Sequence, residues 1–405
     1  MKDLRGEPHE LFRVRPDSTS QDKITLALEV LLDPNIRDPY GQEKKLTTTR
    51  LRYEVVIQKR IENGSLERVY VVSETAKHIS KRDDRLFKYY KKADHGQLSK
   101  FAFVGTRKTP FLSVSDDEGS SREILIHQDG TQGRIRHLPA GEAEATAIST
   151  IRTATEFPHL FALREELASL RYLQLEPSAE RKPSDILAAD RLEPDGSNLA
   201  AVLARIEKET SRPERPKGVI EDIRADLADL IPGIVDLDTE RNEAAREYRL
   251  FLRTKEGLRL SSRVVSDGTL RILALLAVLH DPKRKGVICF EEPENGIHES
   301  RLIGLIRILR DSCTNLAGSP GGEDAEPLTQ IIVNTHSPVV ISCLLDNEII
   351  VADTVTAISD RGLGNSRKTR MRTGVSPIGD LFEPNSNLTR FEIDRLLRRN
   401  KDFAA

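Results

Sequence analysis

Two consecutive carboxylates, Glu291 and Glu292, follow the apolar run Val287-Ile-Cys-Phe290 and precede Pro293. A short continuous apolar run of this kind reads as a buried strand. In open α/β sheets, ligands bind beyond the carboxyl ends of the strands. Paired acids placed there can hold Mg2+ and orient a water beside a phosphate. Taken alone, the same residues equally make a strand that runs out into a solvated acidic turn. Two other segments bear on the choice. Ile331-Ile-Val-Asn-Thr-His-Ser-Pro338 is a second apolar strand, and it closes on His336. Val265-Ser-Asp-Gly-Thr-Leu-Arg271 is a Ser/Gly turn feeding an apolar helix. The free amides of a helix N-terminus suit an anion such as phosphate. Singly, the histidine is a capping or core residue and the turn is an N-cap.

The elements that must position these groups alternate through the last third. A helix over Thr269–Leu279 is apolar nearly all round and therefore buried. Strands follow at 287–290 and 331–333, with an amphipathic helix over 300–310 between them, a short helix over 339–345, and a third strand over 348–352. Alternating helices and apolar strands predict a parallel sheet covered by helices. Residues 314–328 are loop by composition.

The first 140 or so residues read differently. Strand-like runs occur at 24–32, 48–61, 66–72, 101–104, 111–114 and 123–127, with Asn63-Gly64 as a hairpin turn. The middle contains helices over 158–170 and 217–230, and one capped by Ser197 and running to about Lys208. Short strands lie at 171–175, 234–238, 246–253 and 258–265. The expected divisions are a β-rich lobe at 1–150, a helical middle region at 151–245, a core at 246–360 and a tail with a basic amphipathic helix at 361–405.

Composition narrows the function classes. The chain has 405 residues with 62 Lys+Arg against 64 Asp+Glu, a formal net charge of −2. A uniformly basic nucleic-acid coat is excluded, although local patches are not. Cys289, Cys313 and Cys343 are too few and too scattered for a disulfide framework or a zinc site, and Cys289 reads as inert core. No signal core opens the sequence and no run of 18 apolar residues occurs, so the expected compartment is cytoplasmic. Residues 81–100 interleave seven Lys and Arg with Phe87, Tyr89 and Tyr90, a pattern that can track a phosphate backbone. Asp83, Asp84 and Asp94 dilute it toward an ordinary solvated helix.

In their order along the chain, "SDGT", "EEPENGIH" and "NTHSP" resemble the signature motif, Walker B, D-loop and switch histidine of an ABC-type ATPase head. The similarity is closest to the bacterial AAA-type branch that resembles RecF, SMC and overcoming-lysogenization-defect ATPases. It is specific over 264–340, and TRLRYEVVI and Leu192-Glu-Pro-Asp-Gly-Ser-Asn-Leu199 extend it with less specific motifs. The resemblance implies an α/β fold of the RecF/SMC-like P-loop NTPase class, with a β-rich lobe and a helical insertion. It implies ATP and Mg2+ as cofactors and a homodimer or head-to-head ATPase partner. Carried over by position, Glu291 supports Mg2+, where the family more often has the shorter Asp. Glu292 is the general base or water-orienting carboxylate. Asn295 and Gly296 lie in the D-loop that crosses the dimer interface. His336 contacts the γ-phosphate, while Ser266 and Gly268 touch the γ-phosphate of ATP held by the opposite subunit.

The family's Walker A loop, G-x-x-x-x-G-K-[ST], has no match in these 405 residues, and Gly105-Thr-Arg-Lys-Thr109 is only a faint echo. The resemblance therefore implies a head whose first strand and P-loop are missing from this sequence, through a truncated record, a split system or a degenerate head. The runner-up function is a non-hydrolysing regulatory or interaction subunit. DNA repair and phage defence are the expected processes by family analogy. DNA and a nuclease or effector encoded nearby are further candidate partners. A fused nuclease is not expected, because only some 50 residues follow Asp353 and no later strand carries paired acids.

Overall fold

The computed structural model describes residues 8–12, 22–62, 66–80, 82–86, 101–102, 104–105, 107–115, 122–130, 133–315, 328–357, 366–374, 387–393 and 395. The chain forms two compact units. One comprises Met1–Ala168, Asn315–Asp324 and Ile350–Asn387; the other comprises Ser169–Thr314, Ala325–Ile349 and Leu388–Ala405.

The first unit is built on an antiparallel sheet. Its strands are β1 (Lys23–Leu31), β4 (Arg50–Glu62), β5 (Leu66–His78), β6 (Leu112–Val114), β7 (Glu123–His127) and β8 (Ile135–Pro139), in that spatial order. A small hairpin, β2 (Asn35–Arg37) and β3 (Glu43–Lys45), lies outside this sheet. Alternation in β4 sends Leu51, Tyr53 and Val55 into a core shared with Ile124 and Ile126 of β7. Helix α1 (Pro158–Ser169) contributes Leu160, Phe161 and Leu163 to the same core. It begins on a proline, whose fixed φ and missing N–H suit a first helical position. Two buried carboxylates are firmly paired. Glu74 accepts hydrogen bonds from Tyr53 Oη and the Ile148 N–H, each at 3.0 Å, and from the Ala147 N–H. Arg50 holds Asp84 with two bonds, Nε to Oδ2 at 2.8 Å and Nη2 to Oδ1 at 2.9 Å. The expected strand at 101–104 is not formed: Phe101 and Ala102 are buried as non-strand residues. The Thr49 hydroxyl takes the Phe101 carbonyl, an anchor that needs no ladder. The Asn63-Gly64 turn and most of the basic, aromatic 81–100 segment lie outside the described residues, as do the 316–327 loop and most of the tail.

The second unit opens with β9 (Arg171–Leu173), α2 (Pro177–Glu180) and β10 (Ser184–Asp185). Helices α3 (Leu199–Thr210) and α4 (Ile220–Leu230) follow. Next come β11 (Ile234–Asn242), β12 (Glu247–Thr254) and β13 (Arg259–Ser261), which form an antiparallel sheet with β10. Helix α5 (Asp267–Leu279), β14 (Gly286–Glu291), α6 (Glu299–Asp311), β15 (Thr329–Asn334) and α7 (Pro338–Ser342) complete it. Every residue of α5 from Gly268 to Leu279 is buried, as its all-round apolar sequence requires. Strands β15, β14 and β9 make a three-stranded sheet in that order, parallel throughout. The α/β class is therefore as expected.

Two local expectations are corrected. The cap of α3 is Asn198, not Ser197, and its side chain makes no capping bond. The Asn198 amide is spent on the preceding loop instead: Oδ1 accepts from the Glu193 N–H at 2.8 Å, and Nδ2 donates to the carbonyls of Ala189 (3.0 Å) and Arg191 (2.8 Å). The strand expected at 348–352 is β16 (Ile350–Ala357), but it does not join the parallel sheet. It pairs antiparallel with β17 (Ser366–Gly374), pinned by Asp353 to Arg370 and Arg372 at 2.8 Å each. The third parallel strand is β9.

Candidate functional site

Parallel register sets the frame. β14 pairs with β15 from Gly286↔Thr329 to Glu291↔Asn334, so both strands leave the sheet at the same end. The Glu292 N–H extends the ladder by donating to the Asn334 carbonyl at 2.9 Å. Glu291, Glu292 and His336 are thereby brought together just beyond the carboxyl ends of the strands, where α/β sheets bind ligands.

Glu292 has φ +43°, a left-handed conformation that is rare for a side chain with a Cβ. Such backbone persists only where the surroundings over-determine it. Its carbonyl accepts from the Asn295 N–H at 3.0 Å and from Arg271 Nη1 at 3.2 Å. Its carboxylate accepts from Asn295 Nδ2 at 2.7 Å through Oε2, and Oε1 lies 4.0 Å from His336 Nε2. Glu291 Oε2 accepts from the hydroxyl of Tyr172, which β9 places alongside. The loop under His336 is pinned on both sides. Thr335 Oγ1 bonds Glu294, and the Ser337 N–H donates to Thr335 Oγ1 at 3.0 Å. Ser337 Oγ caps α7 through the Val340 N–H. The His336 ring itself is 74% exposed, open to a ligand from solvent.

The second turn belongs to α5. Ser266 is its N-cap: Oγ accepts from the Thr269 N–H and lies 2.7 Å from Thr269 Oγ1. Arg181 holds this turn from behind, donating to the Val265 carbonyl at 2.8 Å and pairing with Asp267. Gly268 packs directly on the Asn295-Gly296 turn. A Cβ on Gly268 would sit 2.2 Å from the Gly296 carbonyl oxygen, so only glycine fits. Gly296, at φ +74°, is the residue that lets the chain turn there. All six candidate residues thus lie in one unit: Ser266 and Gly268 on one turn, Glu292 and Asn295 on the turn that touches it, Glu291 at the end of β14 and His336 on the loop after β15.

Four residues that sequence reasoning passed over belong to this neighbourhood: Tyr172, Arg181, Arg271 and Glu180. Arg271 stands in the quoted SDGTLR run, and Tyr172 on an anticipated strand, but only tertiary pairing reveals their partners. Glu180 is 2% exposed and neither carboxylate oxygen has a hydrogen-bond partner. Burial pushes its pKa up to about 8, against the pull of Arg271 and Arg181.

Among the described residues no group of three or more His, Cys, Asp or Glu forms a metal cage. Mg2+ does not need one: it is commonly held by one or two carboxylates together with water and substrate phosphates. The half-buried Glu291 carboxylate, beside Glu292, has the oxygen donors that arrangement requires.

Solved structures of SMC heads resemble the chain at low identity. An SmcHead bound to the C-winged helix domain of ScpA is 14% identical, with a TM-score of 0.34 over 70% of this chain and 80% of that one. A chain described for ATP-driven dimerization and DNA-stimulated activation of SMC ATPases is 11% identical, with a TM-score of 0.29 over 45% and 91%. The Smc head with coiled coil and joint from Pyrococcus yayanosii is 12% identical, with a TM-score of 0.29 over 45% of this chain and 29% of that one. Among curated proteins nothing matches the chain. Residues 33–342, well over half of the sequence, match the family model described as "AAA domain, putative AbiEii toxin, Type IV TA system", and the protein belongs to that AAA-domain family.

Proposed function

We propose that the protein binds ATP and hydrolyses it in a head-to-head dimer. The observation that carries this reading is the convergence of Glu291, Glu292 and His336 at one end of the parallel sheet. Glu292 orients the attacking water and accepts its proton as the water oxygen bonds to the γ-phosphorus. The bond from that phosphorus to the β–γ bridging oxygen breaks, and ADP leaves with the electron pair. His336 reaches the γ-phosphate from the exposed side. Glu291, steadied by Tyr172, is the residue that would hold Mg2+, which would supply charge neutralisation at the phosphates when bound. Ser266 and Gly268 offer the N-terminal amides of α5 to the γ-phosphate of nucleotide held by a partner head. The reading requires a G-x-x-x-x-G-K-[ST] loop from outside these 405 residues, since none of them supplies it.

The alternative reading is a non-hydrolysing regulatory or interaction subunit that presents the Ser266–Gly268 turn to a partner. A role in DNA repair or phage defence follows from family analogy alone. The test is Glu292→Gln. Loss of a general base costs about 10²–10⁴-fold, so turnover should fall at least 100-fold while ATP-dependent dimers persist. Wild-type turnover in this variant would remove Glu292 from the mechanism. An ATP-free, inactive wild type of the full chain with any P-loop partner would leave the second reading.

A further inference from the structure

The α5 helix touches the Glu292–Ile297 turn at two points. Gly268 meets the Gly296 carbonyl, and one helical turn later Arg271 meets the Glu292 carbonyl. The second contact is unusual in its chemistry. Arg271 is 9% exposed, and its guanidinium is directed at main-chain oxygens: Nη1 to Glu292 O at 3.2 Å and Nη2 to Leu175 O at 2.9 Å. Nε is buried without an acceptor. Burying a cation without a hydrogen-bonded counter-ion is costly, and a well-packed apolar side chain of similar size would stabilise the core as well or better. The buried Glu180 carboxylate supplies a nearby counter-charge but no hydrogen bond, so the directed contacts of the guanidinium are the two carbonyls. Both of its acceptors lie on segments that leave the parallel strands at the site end, one after β9 and one after β14. One of them is the carbonyl of a residue held at φ +43°.

We propose that Arg271 is a positioning residue for Glu292: its guanidinium forks between the Leu175 and Glu292 carbonyls and fixes the left-handed turn from which the Glu292 carboxylate projects. The planar fork is what allows one side chain to hold two carbonyls at once, and a lysine ammonium on a flexible stem does not reproduce it. The inference rests on the reading of Glu292 as the water-orienting carboxylate. The hold on the backbone can nevertheless be tested separately from hydrolysis.

The experiment is residue-resolved amide hydrogen exchange on the full chain, comparing wild type with Arg271→Met and Arg271→Lys. The Asn295 and Ile297 amides, which donate to Glu292 O and Glu294 O at 3.0 Å each, report the turn. Amides of the later turns of α5 report the helix. Exchange at Asn295 and Ile297 should accelerate tenfold or more in Arg271→Met and by less in Arg271→Lys, with α5 unchanged. Unchanged exchange at the turn overturns the inference. So does equal acceleration along α5, which would make Arg271 a general packing residue. If Arg271→Met does not fold, the Arg271→Lys comparison decides by the same criterion. Turnover gives the second arm, measured beside Glu292→Gln. Arg271→Lys should lower kcat about tenfold with KM for ATP within twofold of wild type. Wild-type kcat in Arg271→Lys while Glu292→Gln is inactive sinks the positioning role alone, whereas wild-type turnover in Glu292→Gln sinks the hydrolytic reading and leaves the exchange result to judge Arg271.

Discussion

Replacing Gly268 by alanine tests whether the two turns of the site form one rigid piece. The added Cβ would lie 2.2 Å from the Gly296 oxygen and 3.0 Å from its carbonyl carbon. A carbon and a carbonyl oxygen in contact sit about 3.3–3.6 Å apart, so the turns must separate by about 1 Å. Neither side can yield by rotating a side chain, because the obstacle is backbone. The 292–297 turn is itself tied by the Asn295 and Ile297 amide bonds at 3.0 Å. Overpacking of this kind costs about 1–3 kcal/mol. Alanine recovers at most about 1 kcal/mol of helix propensity over glycine, and less in a first turn than in a helix interior. The clash wins, and the net loss should be about 1–2 kcal/mol, a roughly 5- to 30-fold fall in the folding equilibrium. Denaturant midpoints at constant m-value measure it. Gly304→Ala is the internal control. It lies in the middle of α6, and the only atom a Cβ would approach within 4 Å is the Leu230 Cδ2 methyl at 2.7 Å. That methyl can rotate aside, so Gly304→Ala should fall within about 1 kcal/mol of wild type, helped by helix propensity. If Gly268→Ala is as stable as Gly304→Ala, the close packing of the two turns is refuted, and with it the claim that glycine is required there.

Other expectations are checked by single variants. Tyr172→Phe deletes the hydroxyl that steadies Glu291 from a half-exposed position. Stability should change by less than about 1 kcal/mol, while turnover or Mg2+ affinity falls about tenfold, as for other groups that orient a ligating carboxylate; unchanged Mg2+ dependence would mean that the contact is idle. Asp84→Ala strips the buried Arg50 of its two-bond partner, with side-chain exposures of 5% for Arg50 and 0% for Asp84. Breaking such a pair costs about 3–5 kcal/mol, and a loss under about 1 kcal/mol by denaturant titration would refute the pairing. Glu180 predicts a pH dependence. Its folded pKa of about 8 stands above the ordinary 4.5, so the native state binds the proton more tightly than the unfolded chain. Its contribution is fully present below about pH 4.5 and is lost as pH rises toward 8, by a few kcal/mol. Glu180→Gln should flatten the fall in stability between pH 5 and 8, and an unaltered slope would assign that slope to other groups.

What the sequence made legible is what local pattern encodes. The apolar run ending in Glu291-Glu292 reads as a strand, and β14 ends on Glu291, although only every second residue of it is fully buried. The all-round apolar stretch after Ser266 could only be a buried helix, and α5 is buried throughout. Partners are another matter. The residues 350–357 have strand character, but nothing in their pattern distinguishes a place in the parallel sheet from the antiparallel hairpin they form with 366–374. Ser197 and Asn198 are both good caps by type, and the loop carbonyls that claim the Asn198 amide come from Ala189 and Arg191, beyond any capping window. Arg271 and Tyr172 are invisible as site residues for the same reason: their acceptors lie on other elements. The glycines are the subtlest case. Gly268 and Gly296 were legible only as members of two separate motifs. The structure sets them backbone against backbone in a single chain. The turn that would sense a partner's nucleotide and the turn that would carry this head's own carboxylate are therefore fixed to the two ends of one contact, with Arg271 as a second tie. A shift imposed on either turn must be felt by the other.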